Sequence, residues 1–229
     1  MYRERPSRMT GAVVWTRTPS GPAPQPVLPD GCMDLLWSDG RLLVAGPDTG
    51  AHPVRTPDAT WAGIRFFPGT APTLLGVPAH ELRDRRVELA DLWPADRVRR
   101  LRARVEAAPD PAAGLEAAAL DRAAATGPPD PLIPRLVSAL AAGRPVGAVA
   151  DGTGLGARGL HRRSLAVFGY GPKTLAGILR LQRALAMARA GVPYAEAAAR
   201  AGYADQAHLA RDVRRLTGGP LGRLLARPG

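Results

Sequence analysis

Cys32, Asp34, His52 and His80 are side chains of the kinds that ligate metal ions, and all four fall within the first eighty residues. A metal site needs three or four N, S or O donors converging on one point. No histidine pair here stands at i, i+2 or i, i+4, so Cys32 reads as a small buried hydrophobe, Asp34 as a turn or strand-edge group and His52 as part of a loop. No metal and no cofactor are expected. Arg65 is more informative, because it interrupts the apolar run Trp61-Ala-Gly-Ile-Arg-Phe66. A guanidinium in such a strand needs a counter-charge, which Asp34, Asp48 or an anionic ligand can supply. Trp15, Trp37 and Trp61 either line a pocket beside it or belong to the core. Asp34, Trp37, His52 and Arg65 are therefore the candidate ligand-binding residues. No Ser/His/Asp order, phosphate loop or paired-carboxylate pattern stands out, so no catalytic residue is assigned and the chain is not expected to be an enzyme.

Charge divides the chain. Its 229 residues carry 31 Lys+Arg against 20 Asp+Glu, a formal net charge of +11. Residues 1–130 hold 16 basic and 16 acidic side chains, whereas residues 131–229 hold 15 basic and 4 acidic ones. All of the net charge lies beyond the break Gly127-Pro128-Pro129-Asp130-Pro131. A neutral half joined to a basic half points to one part that meets a polyanion and another that does something else. Lys173 is the only lysine, so the arginine preference itself reflects a GC-rich coding background as much as function. The single cysteine excludes an intramolecular disulfide and a multi-cysteine zinc module. With no apolar signal segment and no apolar run approaching the length of a membrane span, the expectation is a soluble, cytoplasmic chain without membrane contact.

The elements that must position these residues change along the chain. Residues 11–66 contain short β-type runs, at Gly11–Thr16, Met33–Trp37, Arg41–Ala45 and Trp61–Phe66, separated by turn clusters such as Ser38-Asp39-Gly40. Short strands at this spacing predict a small barrel or sandwich. Leu89, Leu92, Val98, Leu101 and Val105 then recur at helical intervals broken at Pro94, and Ala112–Ala125 is a second helical stretch. From Leu132 everything reads helical. Pro145 and Pro193, Gly154 and Gly202, and Pro172 and Pro220 are each 48 residues apart. Each unit runs from a proline through a short Ala-rich helix and a Gly-containing turn to a basic helix, which is the pattern of a helix-turn-helix. Lys173–Ala190 is the helix that joins the two units.

The segment Ala201-Gly-Tyr-Ala-Asp-Gln-Ala-His-Leu-Ala-Arg211, followed by Gly-Gly-Pro at 218–220, resembles the signature of the AraC family of transcription regulators. Gly154-Leu-Gly-Ala-Arg-Gly-Leu-His-Arg-Arg163 with Gly169-Tyr-Gly-Pro172, and the linker Leu179-Arg-Leu-Gln-Arg-Ala-Leu185, are similar to the family's first unit and central helix. The resemblance implies two recognition helices about 34 Å apart that enter successive major grooves. It places Arg158, His161 and Arg162 of the first helix, and Gln206, His208 and Arg211 of the second, against base edges. Arginine can grip guanine, and glutamine adenine, through two hydrogen bonds. Arg163, Arg180, Arg183, Arg214 and Arg215 are placed at phosphates. Asp205 is expected to cap its helix and Tyr203 to pack under the turn. Ser164, Gly152, Thr153, Ala197 and Ala201 depart from the family's larger or more helix-favouring residues. The first unit is the weaker of the two on this reading, and the second carries more of the binding energy.

Pro29-Asp-Gly-Cys-Met-Asp-Leu-Leu-Trp37, Ala45-Gly-Pro-Asp-Thr49, Gly63-Ile-Arg-Phe66, Leu75-Gly-Val-Pro-Ala79 and Leu89-Ala-Asp-Leu-Trp93 resemble a short β-rich domain attached to some AraC-type regulators. The implied fold is α+β. A small, cupin-like N-terminal sensing or dimerising domain with a helical linker spans 1–126, and an all-α DNA-binding domain with two helix-turn-helix motifs joined by a long helix spans 131–229. The implied partners are double-stranded operator DNA, a small-molecule effector, RNA polymerase if the protein activates, and a second copy in a homodimer. DNA alkyl-repair activity, which occurs fused to this kind of module, is the rival function. The setting of Cys32 in Gly-Cys-Met, and its being the only cysteine, argue against it.

Overall fold

The computed structural model describes residues 1–19, 26–54, 58–220, 222 and 224. The last residues of the expected C-terminal domain, 225–229, lie outside the described set. In the N-terminal half, β1 (Tyr2–Pro6), β2 (Ala12–Arg17), β3 (Met33–Ser38), β4 (Arg41–Ala45), β5 (Trp61–Phe66) and β6 (Arg86–Glu88) form one antiparallel sheet. Its order is β1-β2-β5-β3-β4-β6. The alternation in β3 sets the faces: Met33, Leu35 and Trp37 are buried, while Asp34 and Leu36 turn the other way. Asp39 and Gly40, both at positive φ, close the β3–β4 hairpin, as a turn matching strand twist requires. Two strands escaped the sequence reading. β1 is polar and exposed along its whole length, and β6 has only three residues.

The buried face is covered by helices. α1 (Ala71–Leu75) is short, and Leu89–Asp91 forms a 3-10 turn before α2 (Ala95–Ala107) and α3 (Pro111–Thr126). Leu101, Val105, Leu115 and Ala119 from the last two join Val14, Leu35, Ile64 and Phe66 in one core. Asp110 caps α3 by accepting from the Ala113 amide at 2.8 Å. Glu116 pins α3 to the start of the chain. Its buried carboxylate accepts from the Arg8 amide at 2.7 Å, Ser7 Oγ at 2.9 Å and Arg5 Nη2 at 3.0 Å. These bonds, from Arg5 first of all, lower its pKa to about 2.

A second core belongs to α4 (Leu132–Ala141), α5 (Val146–Thr153), α6 (Gly156–Phe168), α7 (Pro172–Arg189), α8 (Tyr194–Ala201) and α9 (Gln206–Thr217). Leu175, Ile178, Leu181 and Leu185 make α7 its spine, with Leu136, Leu160, Leu209 and Val213 packed around it. The halves meet where α6 ends. Gly169, at φ 84°, sits so close to Pro47 that a Cβ would lie 2.6 Å from its ring. The Gly169 carbonyl accepts from Arg83 Nη1 at 3.3 Å, and Gln182 Nε2 on α7 donates to the Pro29 carbonyl at 2.6 Å.

Candidate nucleic-acid interface

In the second unit α8 stops at Gly202, whose φ of 87° is a left-handed value that glycine adopts without steric cost. The Asp205 carboxylate then accepts from the His208 amide at 2.6 Å and starts α9. Tyr203 is buried beneath the turn. The Arg180 guanidinium lies 4.3 Å from its ring centroid, and the His208 ring meets it edge-on at 5.0 Å. Arg180 also donates to Asp212 at 2.7 Å, and Arg215 to the same carboxylate at 3.2 Å. Burial pushes the Asp212 carboxyl up, but those two arginines more than compensate and hold it below its ordinary value. With its inner face fixed, α9 presents Gln206, Ala207, Ala210, Arg211 and Arg214 outward.

In the first unit α5 ends at Gly154, also left-handed at φ 68°. No side chain caps α6, whose N-cap residue is Leu155 and whose first residue, Gly156, has φ 62°. Arg158, His161 and Arg162 are exposed on adjacent turns of α6, with the His161 ring against Gly171. Arg163 forms an ion pair with Asp130 of the interdomain break. Ser164 is fully buried, and its hydroxyl has no hydrogen-bond partner.

The buried positions give the true register between the units. Leu160 and Leu209, Ser164 and Val213, and Gly169 and Gly218 are each 49 residues apart, one more than the boundary repeat. The second turn carries an extra residue, and Gly218-Gly-Pro220, one residue shorter than Gly169-Tyr-Gly-Pro172, restores the spacing. On this register Arg162 matches Arg211, whereas Arg158 and His161 match Ala207 and Ala210. His208 is drawn into the turn, where its Nδ1 accepts from the Ala204 amide at 3.4 Å. Arg180 and Arg183 are internal braces. Arg183 donates to the carbonyls of Ala141 at 2.7 Å and Ala201 at 2.6 Å, the last residues of α4 and α8. Asp212, which sequence reading passed over, is the hub of the α7–α9 contact; an acid inside so basic a helix is the signal that marks it.

The N-terminal candidates do not assemble into one pocket. Arg65 lies opposite Asp34 in the β3–β5 register and is paired with it at 3.3 Å and with Asp30 at 3.7 Å. Trp15 Nε1 also donates to Asp34 at 2.7 Å. Asp48, the other carboxylate considered for Arg65, pairs instead with Arg86 at 2.7 Å, because the β4–β6 pairing brings those strands together. Trp37 points to the opposite face and joins the core, and His52 exchanges backbone hydrogen bonds with Val27. Burial and the neighbouring Asp30 push the Cys32 thiol well above its ordinary range. Among the described residues no three His, Cys, Asp or Glu side chains converge as metal ligands, and no helix is long and apolar enough to cross a membrane.

Residues 149–227 match the family model described as "Helix-turn-helix domain". This part of the chain is a helix-turn-helix domain. Residues 12–88, which hold five of the six strands, match the "Domain of unknown function (DUF6597)". A structure of ToxT from Vibrio cholerae is similar across 98% of this chain and 97% of its own, at 6% identity and a TM-score of 0.50. A second ToxT structure from the same organism covers 98% and 96% at 7% identity and a TM-score of 0.48. At such identity the first likeness concerns the fold, a β-rich half followed by a helical half. A comparison with curated proteins finds no match.

Proposed function

We propose that this chain is an AraC-type transcription regulator that reads a specific operator by inserting α6 and α9 into successive major grooves, with residues 131–229 as the reading domain and residues 1–126 as a domain that senses a small ligand or dimerises. The observation that carries the reading is the pairing of Arg162 with Arg211. Both are exposed, and both stand two residues after the buried leucine of their helix. Arg158 and Gln206 extend the two faces toward base edges, with His161 beside Arg162. Arg163, Arg214 and Arg215 flank them at the phosphate backbone, and His208 sets the second turn rather than reading a base. Such binding weakens steeply with salt, because each arginine–phosphate contact releases counterions. The setting is cytoplasmic, with RNA polymerase as a further partner if the regulator activates.

Selection of bound duplexes from a random pool, with the full chain and with an Arg162→Ala/Arg211→Ala variant, tests this. The expected result is two short sequence blocks about 10.5 base pairs apart, lost in the variant. Weak, sequence-blind retention that is equal in both proteins would overturn it.

A further inference from the structure

Between the core face of the sheet and the α2–α3 pair lies a cleft of about 300 Å³, at the small end of the range for ligand sites. Its floor is apolar, with Leu35 and Phe66 from the sheet, Leu75 from α1 and Leu101 from α2. Its mouth is cationic. The Arg97 guanidinium lies 3.7 Å from the Trp93 ring centroid, and that of Arg122, from α3, lies 5.8 Å from the same ring. Arg122 is held there by its Nε, which donates to the Leu74 carbonyl at 3.0 Å. The other two rim arginines are matched already, Arg100 by Asp96 at 2.6 Å and Arg104 by Asp121. Among the described residues neither Arg97 nor Arg122 has a carboxylate within 4.0 Å. Partial burial, and then the charges of Arg122 and Arg100, push the Arg97 guanidinium below its ordinary range. An anion at that point relieves the repulsion. Arg65, on the opposite face of the sheet, is by contrast satisfied by its two aspartates.

We propose that this cleft is the effector site of the N-terminal domain and that it takes a small amphipathic carboxylate. The apolar body enters between Leu35, Phe66 and Leu101, and the carboxylate meets Arg97 and Arg122 across Trp93. The proposal rests on the reading that this domain senses a ligand. A short route leads from the cleft to the DNA face: α3 ends at Thr126, and Asp130 just beyond it pairs with Arg163 on α6.

Calorimetric titration of the full chain with octanoate, with 1-octanol as the uncharged control, tests the site. One octanoate is expected to bind per chain. Arg97→Gln and Arg122→Gln should each weaken it by about tenfold, the loss of one charge-assisted contact. Ala118→Phe, which fills the cleft, should abolish binding, while DNA retention by each variant shows that it is folded. No octanoate uptake, equal affinity in the double Arg→Gln variant, or octanol binding as well as octanoate would overturn the site. If octanoate binds as described but leaves operator affinity unchanged, the site stands and the sensing role fails. If octanoate is not taken up by a chain that still selects its operator, the site fails and the regulator reading stands.

Discussion

In the second helix-turn-helix, Asp205 caps α9, Tyr203 fills the turn, and Asp212 is clasped by Arg180 and Arg215. In the first, α6 opens on Leu155 and Gly156 without a side-chain cap, and Ser164 buries an unpartnered hydroxyl where its counterpart has Val213. The first unit, however, is held from behind. Gly169 is wedged against Pro47 and the Ala79 carbonyl, and Arg83 bonds the Gly169 carbonyl. Gly69 likewise packs against Val167 and Phe168. One unit is stabilised by its own side chains and the other by the neighbouring domain. Local sequence quality therefore measures how far a unit depends on its neighbours rather than how well it is folded.

The sharpest break of this comparison is between two equivalent glycines. Gly169→Ala must bear both a left-handed backbone and a Cβ 2.6 Å from Pro47, and should cost about 3 kcal/mol. Gly218→Ala has the same kind of backbone, at φ 71°, but nothing within 4 Å, so about 1 kcal/mol is expected. Equal shifts in urea midpoint would deny the brace from the N-terminal domain. Next come the matched arginines. Arg211→Ala should lose about 2 kcal/mol of operator affinity and Arg162→Ala less, in filter-binding titrations at fixed salt; equal losses would remove the asymmetry. Asp205→Ala should lower stability by about 1 kcal/mol, seen in thermal melts. The smallest effect runs the other way: Gly152→Ala, in a helix with open space around the site, should stabilise the first unit by about 0.5–1 kcal/mol.

The helical half was legible because its punctuation is glycine and proline, whose conformational demands are local. Gly154, Gly169, Gly202 and Gly218 all adopt positive φ at helix ends, where the repeat placed them. The one-residue offset between α6 and α9 was not legible from those marks, since only the buried Leu160 and Leu209 disclose it. In the sheet, the partner of Arg65 was half visible. Asp34 was weighed, but Asp30 sits in a turn whose return to β5 is a tertiary fact, and Asp48 is taken by Arg86 through a pairing with a three-residue strand. Arg97 and Arg122 carry no signal among thirty arginines, because only the packing of α2 and α3 turns them toward Trp93.

Arg183 has a consequence for the DNA itself. By tying the last carbonyls of α4 and α8 to the middle of α7, it refers the helix before the first unit and the opening helix of the second to one fixed point, much as the jaws of a caliper share a beam. One inserted base pair between the two sequence blocks would swing the second block by about 34° and advance it by about 3.4 Å. A frame clamped at its centre has no slack to follow that screw motion, so its operators should come in a single gauge.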